Sequence, residues 1–371
     1  MTVRVPLPAR GGGNASYDIL IDRGLLARLP LLLAEHCPAA VYVVVSDSHV
    51  GPRYGEPVVA GLREAGQAAE LFTFPAGESS KTRVTWAALS DRLLDSRVGR
   101  DGALLALGGG VVGDVAGFVA ATYLRGIPWI QVPTSLLAMI DASIGGKTGV
   151  DVPQGKNLLG AFHQPRLVVT DLDTLSTLPQ RQLASGMAEA IKHGVIADAE
   201  YFTVLERDCQ TALAREPGTL ERIVARSVAI KSEVVAADER EAGRRATLNF
   251  GHTIGHAIET TSGYDLLHGE AVAIGMALES QLAERAGIAE AGMTGRVTRL
   301  LSQCSLPQEL PDSAAVDAML TAMRHDKKSR HGELRLALPS RIGRMAVGAD
   351  GWTVPVAESL MRSILTAASS L

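Results

Sequence analysis

At 371 residues the chain has room for two domains of roughly 150 residues each. Its 36 Lys+Arg against 40 Asp+Glu leave a formal charge of −4, which argues against a nucleic-acid coat or a polybasic membrane anchor but permits a local cationic pocket. A hydrophobic share of 46% with 20% charged residues argues against disorder, and aromatics at 4% leave the core to Ala, Val, Leu and Ile.

In chain order, the opening Met-Thr-Val-Arg-Val-Pro-Leu-Pro lacks the basic-then-apolar pattern of a signal peptide, and Gly11–Gly13 reads as a loop. Short β-branched or apolar runs at Tyr17–Ile21, Ala40–Ser46, Leu71–Phe74, Ala103–Leu107, Trp129–Val132 and Leu167–Thr170 predict strands. Helical patterns lie between them, as at Thr82–Leu94 and Val111–Ala121. Strands alternating with helices predict an α/β domain over 1–178, a Rossmann-like variant with a largely parallel sheet. Leu178-Pro179 marks the expected boundary. From Arg181 to Met323 the periodicity is helical almost throughout, with strand-like material returning at Leu334–Leu338 and Met345–Val347, so 179–371 is expected to be a mainly α-helical domain. Polar residues interrupt every apolar stretch before about 18 residues, so no membrane span is expected. The three cysteines (Cys37, Cys209, Cys304) are odd in number and far apart, and none forms a CxxC; they fit buried thiols in a reducing, cytoplasmic setting.

Three groups of residues carry chemistry. Leu104–Leu107 runs into Gly108-Gly109-Gly110-Val111-Val112-Gly113-Asp114, where Gly108, Gly110 and Gly113 satisfy G-x-G-x-x-G between a predicted strand and helix. Bare backbone at a helix start lets N–H groups approach a pyrophosphate. About a hundred residues precede this loop, and the next strand ends in Pro133-Thr134-Ser135 rather than an acidic residue. Asp47, ending an upstream strand, is placed to hold ribose hydroxyls, so the pattern predicts a variant dinucleotide binder. Lysines form the second group. Lys147 and Lys156 sit in Gly-rich loops, and Gly146-Lys147-Thr148 imitates the end of a Walker A loop whose first glycine position is Asp141. With Lys192, Lys231, Arg245, Lys327 and Lys328 they predict a cationic pocket for a small polyanion. The third group is His252 and His256, four apart on one helix face, followed by His268-Gly269-Glu270. Periodicity nominates His252, His256 and His268 for a divalent metal, with Glu189 as an optional carboxylate.

The stretches Gly108–Asp114, Tyr123–Gly126, Pro133–Asp141, Gly145–Lys147, Gly155–Asn157, Gly186–Glu189, Asn249–His256 and His268–Glu270 together resemble the 3-dehydroquinate synthases, members of the sugar phosphate cyclases. The resemblance spans nearly the whole chain. It implies conversion of 3-deoxy-D-arabino-heptulosonate 7-phosphate to 3-dehydroquinate and phosphate in the shikimate pathway, by transient NAD-dependent oxidation, phosphate elimination, reduction and aldol closure. NAD and one divalent metal, Zn2+ or Co2+, are implied with it, as is a homodimer with no nucleic-acid or membrane partner. Carried over residue by residue, it implies Glu189, His252 and His268 as metal ligands, with His256 an acid–base or polar group beside them. It implies Asp47, Glu78, Lys81, Gly109, Gly110, Asp114, Thr134, Ser135, Asp141, Lys147 and Lys156 around NAD. It implies Arg125, Lys147, Asn157, Lys192, Lys231, Arg245, Asn249 and Lys327 or Lys328 around the sugar phosphate. His49 stands where the family pattern has Asn, and Ser135 where it has a second Thr. The alternatives are a related cyclase, such as an amino-dehydroquinate synthase, or a non-catalytic NAD- and metal-binding relative.

Overall fold

A computed structural model describes residues 1–7, 16–261, 266–311, 314–325 and 334–369; Gly11–Gly13, Lys327 and Lys328 lie outside the described residues. The chain divides into two compact units. The first is Met1–Leu178 together with Lys231–Ala236, and the second is Pro179–Ile230 together with Ala237–Leu371.

The first unit is built on a seven-stranded sheet: β1 (Thr2–Val5), β2 (Tyr17–Asp22), β3 (Tyr42–Asp47), β4 (Ala69–Phe74), β5 (Ala103–Gly108), β6 (Trp129–Pro133) and β9 (Leu167–Asp171), in the order β1-β2-β9-β6-β5-β3-β4. Only the β1–β2 pair is antiparallel; the rest run parallel. Parallel strands need crossovers, and α1 (Leu25–His36), α2 (Glu56–Glu64), α3 (Arg83–Asp95) and α4 (Gly110–Thr122) supply four of them. The period of two in the strands sorts the core into two layers. Val44, Leu105, Ile130 and Val169 face α1 and α2, while Val43, Val45, Leu104 and Ala106 face α3 and α4. Both faces are therefore covered, and β5 and the Tyr42–Val45 part of β3 read as unbroken apolar runs for that reason, while β6 buries one polar residue, Gln131. The carboxyl ends of these three neighbouring strands collect the loops that such sheets use for ligands.

The lysine-bearing glycine segments are not loops, as the sequence suggests. β7 (Lys147–Val152) and β8 (Gly155–Phe162) form an antiparallel hairpin. A Cβ on Gly149 would fall 2.6 Å from Leu159 O, and one on Gly160 2.2 Å from Thr148 O, so the glycines allow the two strands to meet.

The second unit contains α5 (Gln180–Ala197), α6 (Ala199–Leu213), most of α7 (Pro217–Ala237), α8 (His252–Thr261), α9 (His268–Arg285), α10 (Met293–Gln303), α11 (Val316–His325) and α12 (Glu358–Ala368). In α5 every residue from Leu183 to Ile196 is buried, and in α9 so is every one from Gly269 to Ser280, which makes these two the central helices. Glycines set how closely they pack. A Cβ on Gly269 would fall 1.9 Å from Ser185 O on α5, and one on Gly275 1.9 Å from Gly251 O at the start of α8. Among the described residues no helix is long and apolar enough to cross a membrane.

Candidate active site

In the first unit the glycine loop turns from β5 into α4. Gly109 is extended, and no side chain caps the helix start. A Cβ at Gly109 would meet only Ser135 Oγ, at 3.7 Å, whereas one at Gly113 would fall 2.7 Å from Gln131 Oε1 on β6. The first glycines thus leave backbone N–H groups approachable, and Gly113 lets the helix lie close on the sheet. An uncapped helix start without side chains suits a pyrophosphate, so the residues present fit a dinucleotide.

Around this turn the charged residues are paired. Lys81, buried, holds Asp114 at 2.5 Å, and Lys156 stands 3.3 Å from Glu78. Burial disfavours the Lys81 cation, but Asp114 and Glu78 outweigh it and keep its pKa above the ordinary value. Burial pushes the Asp114 carboxyl up, with Lys81 opposing. Lys231 donates to the Asp141 carbonyl at 2.6 Å and to its Oδ1 at 2.7 Å. Asp47 Oδ1 accepts from His49 N at 2.8 Å and Val50 N at 2.9 Å, so this carboxylate also caps its own turn. Thr134 is buried at the end of β6, and Ser135 Oγ accepts from Ala138 N at 3.3 Å. Lys147 is exposed at the start of β7. Asn157 has φ +53° and donates its N–H to Asp151 Oδ1 at 2.8 Å. Asp151 N in turn donates to Lys81 O at 2.8 Å, which ties the hairpin to the Lys81 segment. Arg125, exposed, has φ +69° and follows Leu124 at +50°.

The second unit gathers Glu189 from α5, His252 from α8 and His268 from α9. Glu189 Oε1 stands 3.6 Å from His252 Nε2 and 3.6 Å from His268 Nε2. Zinc ligands at about 2.0–2.2 Å in tetrahedral array stand about 3.4 Å apart, so both separations from Glu189 suit a shared divalent ion. His252 Nδ1 lies 3.2 Å from Phe250 O, on the ring edge away from Glu189. Burial works against a His268 cation, but Glu259 and Glu189 outweigh it and lift the imidazole to about 10. Lys192, one turn after Glu189 on α5, pairs with Glu189 Oε2. His256 packs edge-on to His252, ring centroids 5.3 Å apart, and belongs to an overlapping group with Glu259 and His268.

Two further carboxylates fix the ends of these helices. Glu279, fully buried on α9, accepts from Gly251 N at 2.7 Å and Ile254 N at 3.2 Å, anchoring the start of α8 beside His252. Glu270 accepts from Leu267 N at 2.8 Å and is gripped by Arg181 at 2.6 and 2.7 Å, holding the first turn of α9 that carries His268. The Glu at the third position of a helix was a legible capping signal in His268-Gly269-Glu270. Nothing in the sequence marks Glu279. Arg245 is buried and donates to Glu239 O at 2.5 Å, and Asn249 donates to Glu241 Oε1 at 2.9 Å. Asp238 accepts from the N–H groups of Ala242, Gly243 and Arg245 at 2.9, 2.7 and 3.0 Å, closing the loop that presents both.

Known proteins resemble this chain along most of its length. The family model for the 3-dehydroquinate synthase N-terminal part matches residues 71–185, and that for the C-terminal part matches 186–329. A 3-dehydroquinate synthase of Symbiobacterium thermophilum is 50% identical over 340 residues, 91% of this chain and 95% of its own. One of Geobacter metallireducens is 48% identical over 91% of this chain and 94% of its own. Among solved structures, 2-deoxy-scyllo-inosose synthase complexed with carbaglucose-6-phosphate, NAD+ and Co2+ superposes with a TM-score of 0.90 at 28% identity, covering 99% of this chain and 100% of that one. The 2-epi-5-epi-valiolone synthase of Streptomyces hygroscopicus with NAD+ and Zn2+ gives 0.87 at 31% identity over 98% and 99%. An iron-containing alcohol dehydrogenase shares the fold alone, at 0.70 and 13% identity. With half its residues identical to a 3-dehydroquinate synthase over nearly its full length, the chain belongs to the 3-dehydroquinate synthase family.

Proposed function

We propose that the chain converts 3-deoxy-D-arabino-heptulosonate 7-phosphate into 3-dehydroquinate and phosphate, a step of the shikimate pathway, as an NAD- and metal-dependent carbon–oxygen lyase. The observation that carries this reading is the 50% identity to a 3-dehydroquinate synthase over 91% of the chain, against 28% and 31% for the 2-deoxy-scyllo-inosose and 2-epi-5-epi-valiolone cyclases. Two of those cyclases hold NAD+ with Co2+ or Zn2+, which supports the same pair of cofactors here.

Each group of residues has its task in this reading. The bare start of α4, with Gly109 and Gly110, receives the pyrophosphate of NAD, whose nicotinamide supplies a hydride acceptor and then donor for one substrate carbon. Glu189, His252 and His268 hold the divalent ion, which supplies Lewis acidity toward substrate oxygens. Lys192, beside Glu189, contributes a positive charge within the metal-ligand group. Arg245 and Asn249, held by the Asp238 loop, bind the carboxylate end of the substrate, while Lys147, Asn157 and Arg125 bind its polar and phosphate groups. His256, next to His252, is placed to hold or pass a proton on a substrate oxygen. The protein's contribution is mostly orientation and charge placement.

The test is phosphate release from the heptulosonate phosphate by metal-loaded enzyme with substoichiometric NAD+. Many turnovers per NAD+, lost in Lys147→Ala without loss of fold, are expected. Turnover only with the amino analogue, or with a sugar phosphate lacking the carboxylate, would assign the chain to a neighbouring activity. The chain is also proposed to act in the cytoplasm as a homodimer. Leu158 and Phe162, four apart and so on one face of β8, are 40% and 45% exposed, which supports a partner surface there. Light scattering should give twice 39.0 kDa; a monomer at working concentration would reject the dimer.

A further inference from the structure

Glu259 lies one turn beyond His256 on α8 and is 2% exposed. A carboxylate so deeply placed has to be matched by a hydrogen-bond donor or a charge, since isolated burial costs several kcal/mol. Its Oε1 stands 3.3 Å from His268 Nδ1, while the opposite nitrogen of that ring, Nε2, stands 3.6 Å from Glu189 Oε1. His268 is thus held between two carboxylates, one at each ring nitrogen. An imidazole that ligates through Nε2 carries its proton on Nδ1, and the acceptor of that proton sets both tautomer and ring plane. His252 meets the same need with a backbone carbonyl, Phe250 O, at 3.2 Å. Glu259 also forms a compact group with His256 and His268. Yet its recorded contact is to Nδ1, and one imidazole does not bind one ion through both nitrogens.

We propose that Glu259 is a positioning residue, whose Oε1 accepts the Nδ1–H of His268 and so aims Nε2 at the ion held with Glu189 and His252. The proposal rests on the metal centre assigned above. Glu259 makes no contact with the ion, and its effect is on the affinity and the symmetry of the site. A carboxylate partner makes the imidazole a stronger donor than a carbonyl does, so the two histidines of the site are expected to be unequal ligands.

The experiment titrates chelator-stripped full-length protein with Co2+, following the visible absorption of the bound ion, in wild type, Glu189→Ala, Glu259→Gln and Glu259→Asp. Glu259→Gln should bind Co2+ about 10–100-fold more weakly with a shifted band. The melting point of the metal-free protein should move little, whereas a packing role would lower it and leave the band in place. Glu259→Asp keeps the charge but withdraws it by one methylene, and should weaken binding by less; it carries the test if the glutamine variant does not fold. Wild-type affinity and spectrum in both Glu259 variants, with Glu189→Ala unable to bind, would overturn the role of Glu259 and leave the metal centre standing. Loss of the band in Glu259→Gln with its retention in Glu189→Ala would make Glu259 a ligand and overturn the proposal. No Co2+ band in wild type would remove both.

Discussion

Asp238 collects three backbone N–H groups in one loop, and this outweighs its partial burial and holds its carboxyl below the usual range. A folded-state pKa below the unfolded value contributes stability that is present above about pH 4 and is lost as pH falls through the depressed value. Asp238→Asn should therefore destabilise the protein by roughly 1.5–3 kcal/mol at pH 7, the range for hydrogen bonds to a charged group. The difference from wild type should shrink below about pH 4. Urea midpoints followed from pH 7 downward check this, and a pH-independent difference would mean that the charge is immaterial. The loop shows what sequence does and does not disclose at this scale. Asn249 was legible in a familiar motif and Arg245 as part of a cationic pocket, but their holders, Glu239 O and Glu241, depend on a backbone path with φ +59° at Glu241 that no local pattern announces. The histidine pair was legible because 3.6-residue periodicity stacks positions four apart. Glu189 was legible beside them through the resemblance alone; periodicity left it optional, because its nearness depends on how distant helices pack.

That packing belongs to the element scale, where glycine decides it. Gly275 on α9 faces Gly251 O so closely that a methyl group would fall 1.9 Å from it, against backbone that has no rotamer with which to yield. Gly275→Ala should force α8 and α9 apart and cost about 1–3 kcal/mol, toward the upper end because the obstacle is main chain. It should weaken Co2+ binding in the same variant, since His252 and His268 ride on the two helices. Denaturant unfolding and metal titration read both effects; a stability loss with unchanged affinity would show that the site tolerates the shift. Elements with a strong pattern were legible: β3, β5 and β6 as β-branched or apolar runs, α3 and α4 as helical stretches. The β7–β8 hairpin was not, because its glycines serve strand contact rather than turning, and most of β8 is exposed and so lacks the alternation of a half-buried strand. The helical texture after Arg181 hid the irregular stretch between α7 and α8 that contains the Asp238 loop.

On the scale of the whole molecule, the residues assigned to NAD fall in the first unit and those assigned to the metal in the second. Ligands that bind only the folded state stabilise it by mass action, about 2.7 kcal/mol at a hundredfold excess over Kd. Amide exchange should resolve where. Co2+ should slow exchange most in α5, α8 and α9, and NAD+ most in the β5–α4 turn and the strand ends around it. Protection of the same amides by both ligands would reject the division of tasks.

The division is not a division of the chain. Lys231–Ala236, arriving after the whole of α5 and α6, clusters with the first unit, and there Lys231 donates twice to Asp141. A gene cut at Leu178 would thus deliver a first unit without the Lys231 ammonium, and a second fragment still holding a six-residue segment that belongs to the other body. Mixing such halves in one cell is the natural assay of this interleaving: two separately translated pieces should recover activity only when the second includes 231–236, as complementation in trans rather than as two independent modules.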